Sequence, residues 1–183
     1  MILQKVKTSV FKIDSKLSTI EWVGRKIGGG HKGSIAISEG FLNSENGRLS
    51  GGELVIDMKS IKVLDVPDLN ANNQLTGHLA SPDFFNSTNH PQTVLVIQSV
   101  EQGEENSHRI VGDLTIKSIT QPIEFLVQVS INGDTIAANG KIFIDRTRYG
   151  IKFRSGNFFR DLGDSLIYNE FQLDVRITAK AIS

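Results

Sequence analysis

The chain has 183 residues, with 20 Lys and Arg balanced by 20 Asp and Glu, and it has no cysteine. That length supports one domain with a sizeable core, and the zero net charge leaves no whole-molecule field to recruit nucleic acid or membrane. Disulfides and thiolate metal sites are excluded, and 39% hydrophobic with 22% charged residues is the composition of an ordinary globular chain rather than a disordered one.

At the N-terminus, Gln4, Lys5, Lys7 and Thr8 interrupt the apolar run that a secretory signal requires, so a cytoplasmic protein is expected. No later segment reaches the ~18 consecutive apolar residues of a membrane span. Alternation at period two, which sends every second side chain to one face, predicts strands near 7–14, 17–27, 34–42, 53–60, 93–101, 108–117, 121–131, 135–146 and 166–180. A further strand is predicted near 148–154. The pattern is clearest at the C-terminus, where Phe171, Leu173, Val175 and Ile177 alternate with Gln172, Asp174, Arg176 and Thr178. At 121–131 it is spoiled by Leu126 on the polar face. Asn46-Gly47 and Asn132-Gly133 fall between strands as hairpin turns, whereas Asn139-Gly140 lies inside one and suggests a bulge or bend. The one good helix candidate is 68–80, opened by Asp68 or Asn70 as N-cap and stopped at Ser81-Pro82. An all-β chain of this length with regular turns is a sandwich or a barrel.

Motifs for chemistry are sparse. Gly28-Gly29-Gly30-His31-Lys32-Gly33 satisfies G-x-G-x-x-G, but an alternating strand follows it instead of a helix N-terminus, so a hairpin loop is favoured over a nucleotide site. His31, His78, His90 and His108 show no i, i+2 or i, i+4 spacing for a metal. No cysteine or G-x-S-x-G elbow offers a nucleophile. Basic and aromatic residues interleave from Asp145 to Arg160, as in single-strand nucleic-acid binders. On a strand, however, Arg146, Arg148, Lys152 and Arg154 would share one face and Thr147, Tyr149, Ile151 and Phe153 the other, which separates stacking rings from phosphate partners.

Several pieces occur in a telling order: Phe11-Lys-Ile-Asp14 before a strand with Trp22, Gly51-Gly52 leading into Ile56-Asp57-Met58, Gly77-His78-Leu79-Ala-Ser81-Pro82-Asp83-Phe84-Phe85 followed by His90-Pro91, Gly112-Asp-Leu114-Thr-Ile116-Lys117, and Ile144-Asp145-Arg146-Thr147. Over about residues 10–180 the sequence resembles the YceI-like family, the lipocalin-like polyisoprenoid-binding proteins of bacteria. The resemblance implies an all-β fold, an eight-stranded antiparallel lipocalin-like barrel with one or two short helical insertions around a long apolar channel for an isoprenoid quinone or related lipid. Many members carry a secretory signal and work in the periplasm, a pattern from which this N-terminus departs.

The expectation is therefore a single domain, 1–183, that binds an isoprenoid-type lipid, quinone or polyprenol, in the barrel for storage or transport. It is not expected to be an enzyme, or to carry a metal or any cofactor beyond the lipid. The alternatives are an enzyme on an apolar substrate, with His78 or Asp57 inside the cavity, and a packed barrel without ligand. The expected cavity lining is Trp22, Ile56, Phe84, Phe85, Leu114, Phe125, Ile142, Phe153, Phe171 and Leu173. Arg146, Arg148, Lys152 and Arg154 leave two readings open, a transient contact with anionic membrane and a solubilising face balanced by Asp145, Asp161 and Asp164. No nucleic acid is, and a homodimer stays open. Hydrocarbon needs no polar group at fixed spacing, so a lipid site leaves almost no motif.

Overall fold

The alternating runs become nine antiparallel strands, β1 (Thr8–Ile13), β2 (Thr19–Lys26), β3 (Gly29–Glu45), β4 (Arg48–Val63), β5 (Gln92–Gln102), β6 (Ser107–Ile116), β7 (Ile119–Asn132), β8 (Thr135–Asp145) and β9 (Ile167–Ala181), with one α-helix, α1 (Leu69–Ala80). The structure is a computed structural model and describes residues 5–182; Met1–Gln4, on which part of the leader reading rests, and Ser183 lie outside it.

Strands β2 to β9 close into an eight-stranded antiparallel barrel. Strand β1 fills out the wall below β2: β3 and β9 pair with β2 along their upper lengths and with β1 further down, where Phe11 lies opposite Leu42 and Ala181. The lower end is shut by apolar side chains, with Phe11, Ile13, Ile136 and Ala179 all buried. At the upper end α1 sits between β4 and β5, and the β8–β9 connection, residues 146–166, sits opposite. Asp68 caps α1, its carboxylate accepting from Ala71 N–H at 2.8 Å, which resolves the Asp68/Asn70 alternative.

Two glycine motifs have structural explanations. Ile27 and Gly28 alone turn the β2–β3 hairpin, with Gly28 at φ 81°, so the Gly-rich segment is mostly strand and β3 begins at Gly29 rather than near 34. Gly140 interrupts neither the β8–β9 register nor its own strand; an added Cβ would lie 2.7 Å from the Leu126 carbonyl oxygen, so close approach explains it and a bulge does not.

The predicted strand at 148–154 is absent. After Asp145 the chain makes a 3₁₀ turn, Arg146–Tyr149, with the Asp145 carboxylate accepting from Thr147 N–H and Gly150 left-handed at φ 73°. The face assignment for 146–154 fails with it. Arg146, expected outside, is only 4% exposed, while Arg148, Lys152 and Arg154 are exposed.

Candidate ligand-binding site

Every barrel strand sends alternate side chains inward, and the interior is not filled. A cavity of about 210 Å³ runs along it. Eight-stranded barrels stand at the size where side chains either just fill the interior or leave room for one small ligand, and this one leaves room. Inward positions of β9 (Phe171, Leu173, Val175, Ile177) face those of β5 and β6 (Leu95, Ile97, Ile110, Leu114) across almost wholly apolar walls. Close packing of the wall itself depends on small residues. An added Cβ on Gly112 would sit 2.6 Å from the Val96 carbonyl oxygen.

Trp22, Ile56, Phe84, Phe85, Leu114, Phe125, Ile142, Phe171 and Leu173 all line this cavity. Phe153 does not. Because 148–154 is not a strand, Phe153 joins the cap instead, with its ring centroid 4.7 Å from His78 and 5.5 Å from Phe84. His78 also stands edge-on to Phe84 at 5.0 Å and meets the Asp83 carboxylate at 3.1 Å. This aromatic cluster joins α1, the segment after it and the β8–β9 connection into one cap.

The polar residues bordering the cavity are Arg25, Arg146, Tyr168 and Glu170 near the capped end, Thr93 at the start of β5 and Asn139 midway along β8. Arg25, Tyr168 and Glu170 are exposed, and the Arg25 guanidinium donates to Gln172 Oε1 on the outer face of the wall at 3.2 Å. A more polar cleft of about 510 Å³ shares these three residues and adds Asn157 and Asn169. Arg146 is the residue that sequence reasoning misplaced most. Its guanidinium donates to the carbonyl oxygens of Tyr168 (3.1 Å), Ile151 (3.0 Å) and Ile167 (3.1 Å), pinning the connection to the start of β9. Burial pulls its pKa below the ordinary arginine value, and Asp145 opposes that shift. An Asp-Arg-Thr sequence at a strand end was the available signal, since an Asp cap turns the next residue off the strand's alternation.

His78 and Asp57 both lie off the cavity wall. The Asp57 carboxylate accepts from Lys59 N–H at 3.0 Å, a local turn contact. Among the described residues no group of three His, Cys, Asp or Glu is placed to hold a metal ion. Among the described residues the buried Tyr149 hydroxyl has no hydrogen-bond partner, and burial raises its pKa.

Comparison with known proteins follows the same lines. The family described as YceI-like domain matches residues 11–179. Protein YceI of Shigella flexneri is 34% identical over 87 residues, covering 47% of this chain and 44% of that protein, so the match spans less than half of the relative's length. Among solved structures, Burkholderia cenocepacia BcnA superposes with a TM-score of 0.74 at 21% identity, covering 92% of this chain and 99% of that one. A polyisoprenoid binding domain from Saccharophagus degradans gives 0.67 at 14% identity, covering 96% and 100%. Identities this low speak to the fold.

Proposed function

We propose, from the premise that the chain belongs to the YceI-like domain family, that its barrel binds an amphipathic isoprenoid-type lipid, a quinone or polyprenol, for storage or transport. The observation that carries this reading is the cavity itself, which runs along the barrel between almost wholly apolar walls. An apolar tail lies inside, where it needs no polar partner. Each buried CH₂ contributes ~0.8 kcal/mol, so a dozen carbons gain ~10 kcal/mol before ordering and association costs remove a large part. The Saccharophagus degradans neighbour, described as a polyisoprenoid binding domain, supports the ligand class by analogy of fold. Binding, rather than catalysis, is the activity assigned, since the two residues suited to an enzyme reading, His78 and Asp57, stand away from the wall. Loading from a membrane belongs to the same reading, through the exposed Arg148, Lys152 and Arg154 and without Arg146.

The protein carries its own reporter. Trp22 is the single tryptophan, lines the cavity and is fixed by donating from Nε1 to the Ser34 carbonyl oxygen at 3.2 Å. Titration with a quinone bearing a ten-carbon chain should quench Trp22 saturably, and an organic extract of protein from its native host should yield an isoprenoid lipid by mass spectrometry. No saturable quenching together with an empty extract would refute the proposal.

A further inference from the structure

The ladder between β7 and β8 stops half way up the barrel. It runs from Asn132 opposite Thr135 to Gln128 opposite Asn139, yet β7 extends back to Ile119 and β8 forward to Asp145. Each strand stays paired on its other side, β7 with β6 as far as Ile119 and β8 with β9 as far as Asp145. Among the described residues, therefore, Ile119–Val127 and Gly140–Asp145 face one another with no strand pairing between them. Backbone groups left like this need water or another partner, and a long unpaired edge is something folded sheets generally cover.

The slot has a foot and a head. At its foot Gly140 packs close against Leu126, and at its head Gln121 and Arg148 exchange two hydrogen bonds of 3.2 Å, Gln121 Nε2 donating to the Arg148 carbonyl and Arg148 Nη2 to Gln121 Oε1. Between them run about four residues of each strand, or ~13 Å. The inner faces of both edges, Phe125 and Ile123 on one side and Ile142 and Ile144 on the other, line the cavity. The outer lips are apolar too. Leu126 is 61% exposed and Phe143 59%, on strand faces where alternation calls for polar residues.

We propose that this slot is a lateral portal through which the apolar chain of the ligand enters and leaves the barrel. The proposal rests on the lipid-binding reading and adds the route. The upper end is a poorer entrance, because the His78–Phe84–Phe153 cluster, the three hydrogen bonds of Arg146 and the Ile27 N–H bond to the Leu166 carbonyl (3.2 Å) tie its cap together. A hydrocarbon chain asks for no polar partner as it passes. Sideways entry asks only the apolar chain to cross the wall, so no hydrated head group has to pass through the apolar interior.

The chain has no cysteine, so a bridge can be built across the slot without background. Glu124→Cys and Lys141→Cys place one thiol on each outer edge, both at exposed positions, and a short bis-maleimide joins them. Stopped-flow quenching of Trp22 by the ten-carbon quinone reads entry, and dilution reads exit. Bridging should slow both by about tenfold or more while the dissociation constant moves less than about twofold, because a blocked path alters both rates by one factor and leaves the end states alone. Protein with both thiols capped by N-ethylmaleimide should match wild type. As a second arm needing no cross-link, Leu126→Asp/Phe143→Asp puts charge on the lips and should slow entry in the same way. Unchanged rates in the bridged protein and in the Asp variant overturn the portal and place entry at the cap. Absence of saturable quenching in the wild type removes the lipid reading itself, a result visible before any bridge is made.

Discussion

Single residues carry much of the shape of this barrel, and Gly33 shows how. It is the last glycine of a G-x-G-x-x-G string whose purpose is packing. An added Cβ would meet the Lys62 carbonyl oxygen of the neighbouring strand and come within 2.5 Å of the Trp22 indole. Backbone on one side and a cavity-lining ring on the other cannot both give way without cost. Gly33→Ala should therefore destabilise the fold by about 1–3 kcal/mol and shift Trp22 emission, as overpacking does in a close-packed interior. Gly29, four residues earlier in the same string, has open space where its Cβ would be and an ordinary φ. Gly29→Ala should stay within about 0.5 kcal/mol of wild type in urea melts. Equal losses at the two positions would mean that this segment is not packed as described.

At the scale of elements, the alternation in β9 sets which wall faces the cavity. Leu173 lies opposite Trp22 on one side and Ile142 on the other, and all three point inward. Leu173→Asp puts a carboxylate on an apolar wall and should cost about 3 kcal/mol, whereas Arg176→Gln on the exposed face should cost almost nothing. Similar denaturation midpoints for the two variants would contradict the register, since a one-residue slip exchanges the faces. Gln172 is not a neutral control despite its outward parity. It is 9% exposed, accepts from Arg25 and donates to Asp174, both at 3.2 Å. The β8–β9 connection teaches the opposite lesson. Its alternation of basic and aromatic residues looks like a strand, but Gly150 and Arg154 sit at positive φ (73° and 49°) and the chain turns there.

For the molecule as a whole, zero net charge means that approach to a membrane depends on local patches. Arg148, Lys152 and Arg154 are exposed on one connection, beside exposed Phe158 and Phe159 (50% and 47%). Lys152 Nζ stands 4.7 Å from the centroid of the Phe158 ring, so charge and aromatic surface are presented together. Each such cation is worth ~1 kcal/mol near an anionic leaflet, and screening weakens it as salt rises. The protein should sediment with anionic liposomes at low salt and less so at physiological salt. Arg148→Glu/Lys152→Glu should lose at least about tenfold in partitioning while still quenching normally with the soluble quinone. A wild type that ignores anionic liposomes even at low salt would leave those residues as solvated surface.

Sequence alone determined the elements whose neighbours are local. Period-two alternation located the wall strands, Asn-Gly pairs located two hairpins, and Asp68 with Ser81-Pro82 bounded the helix, because each of these is decided by side-chain direction, turn geometry or capping within a few residues. The same alternation placed most of the expected lining on the cavity. Tertiary structure alone decided the rest. Whether the interior is filled or hollow depends on how eight strands tilt and close, which no local pattern records. Arg146 and Phe153 went elsewhere than parity suggests because the carbonyls of Ile151 and, at the start of β9, Ile167 and Tyr168 hold the guanidinium and an aromatic cap takes the ring. The unpaired seam was equally hidden: exposed Leu126 could be read only as a blemish in alternation until β8 was seen to part from β7 beside it.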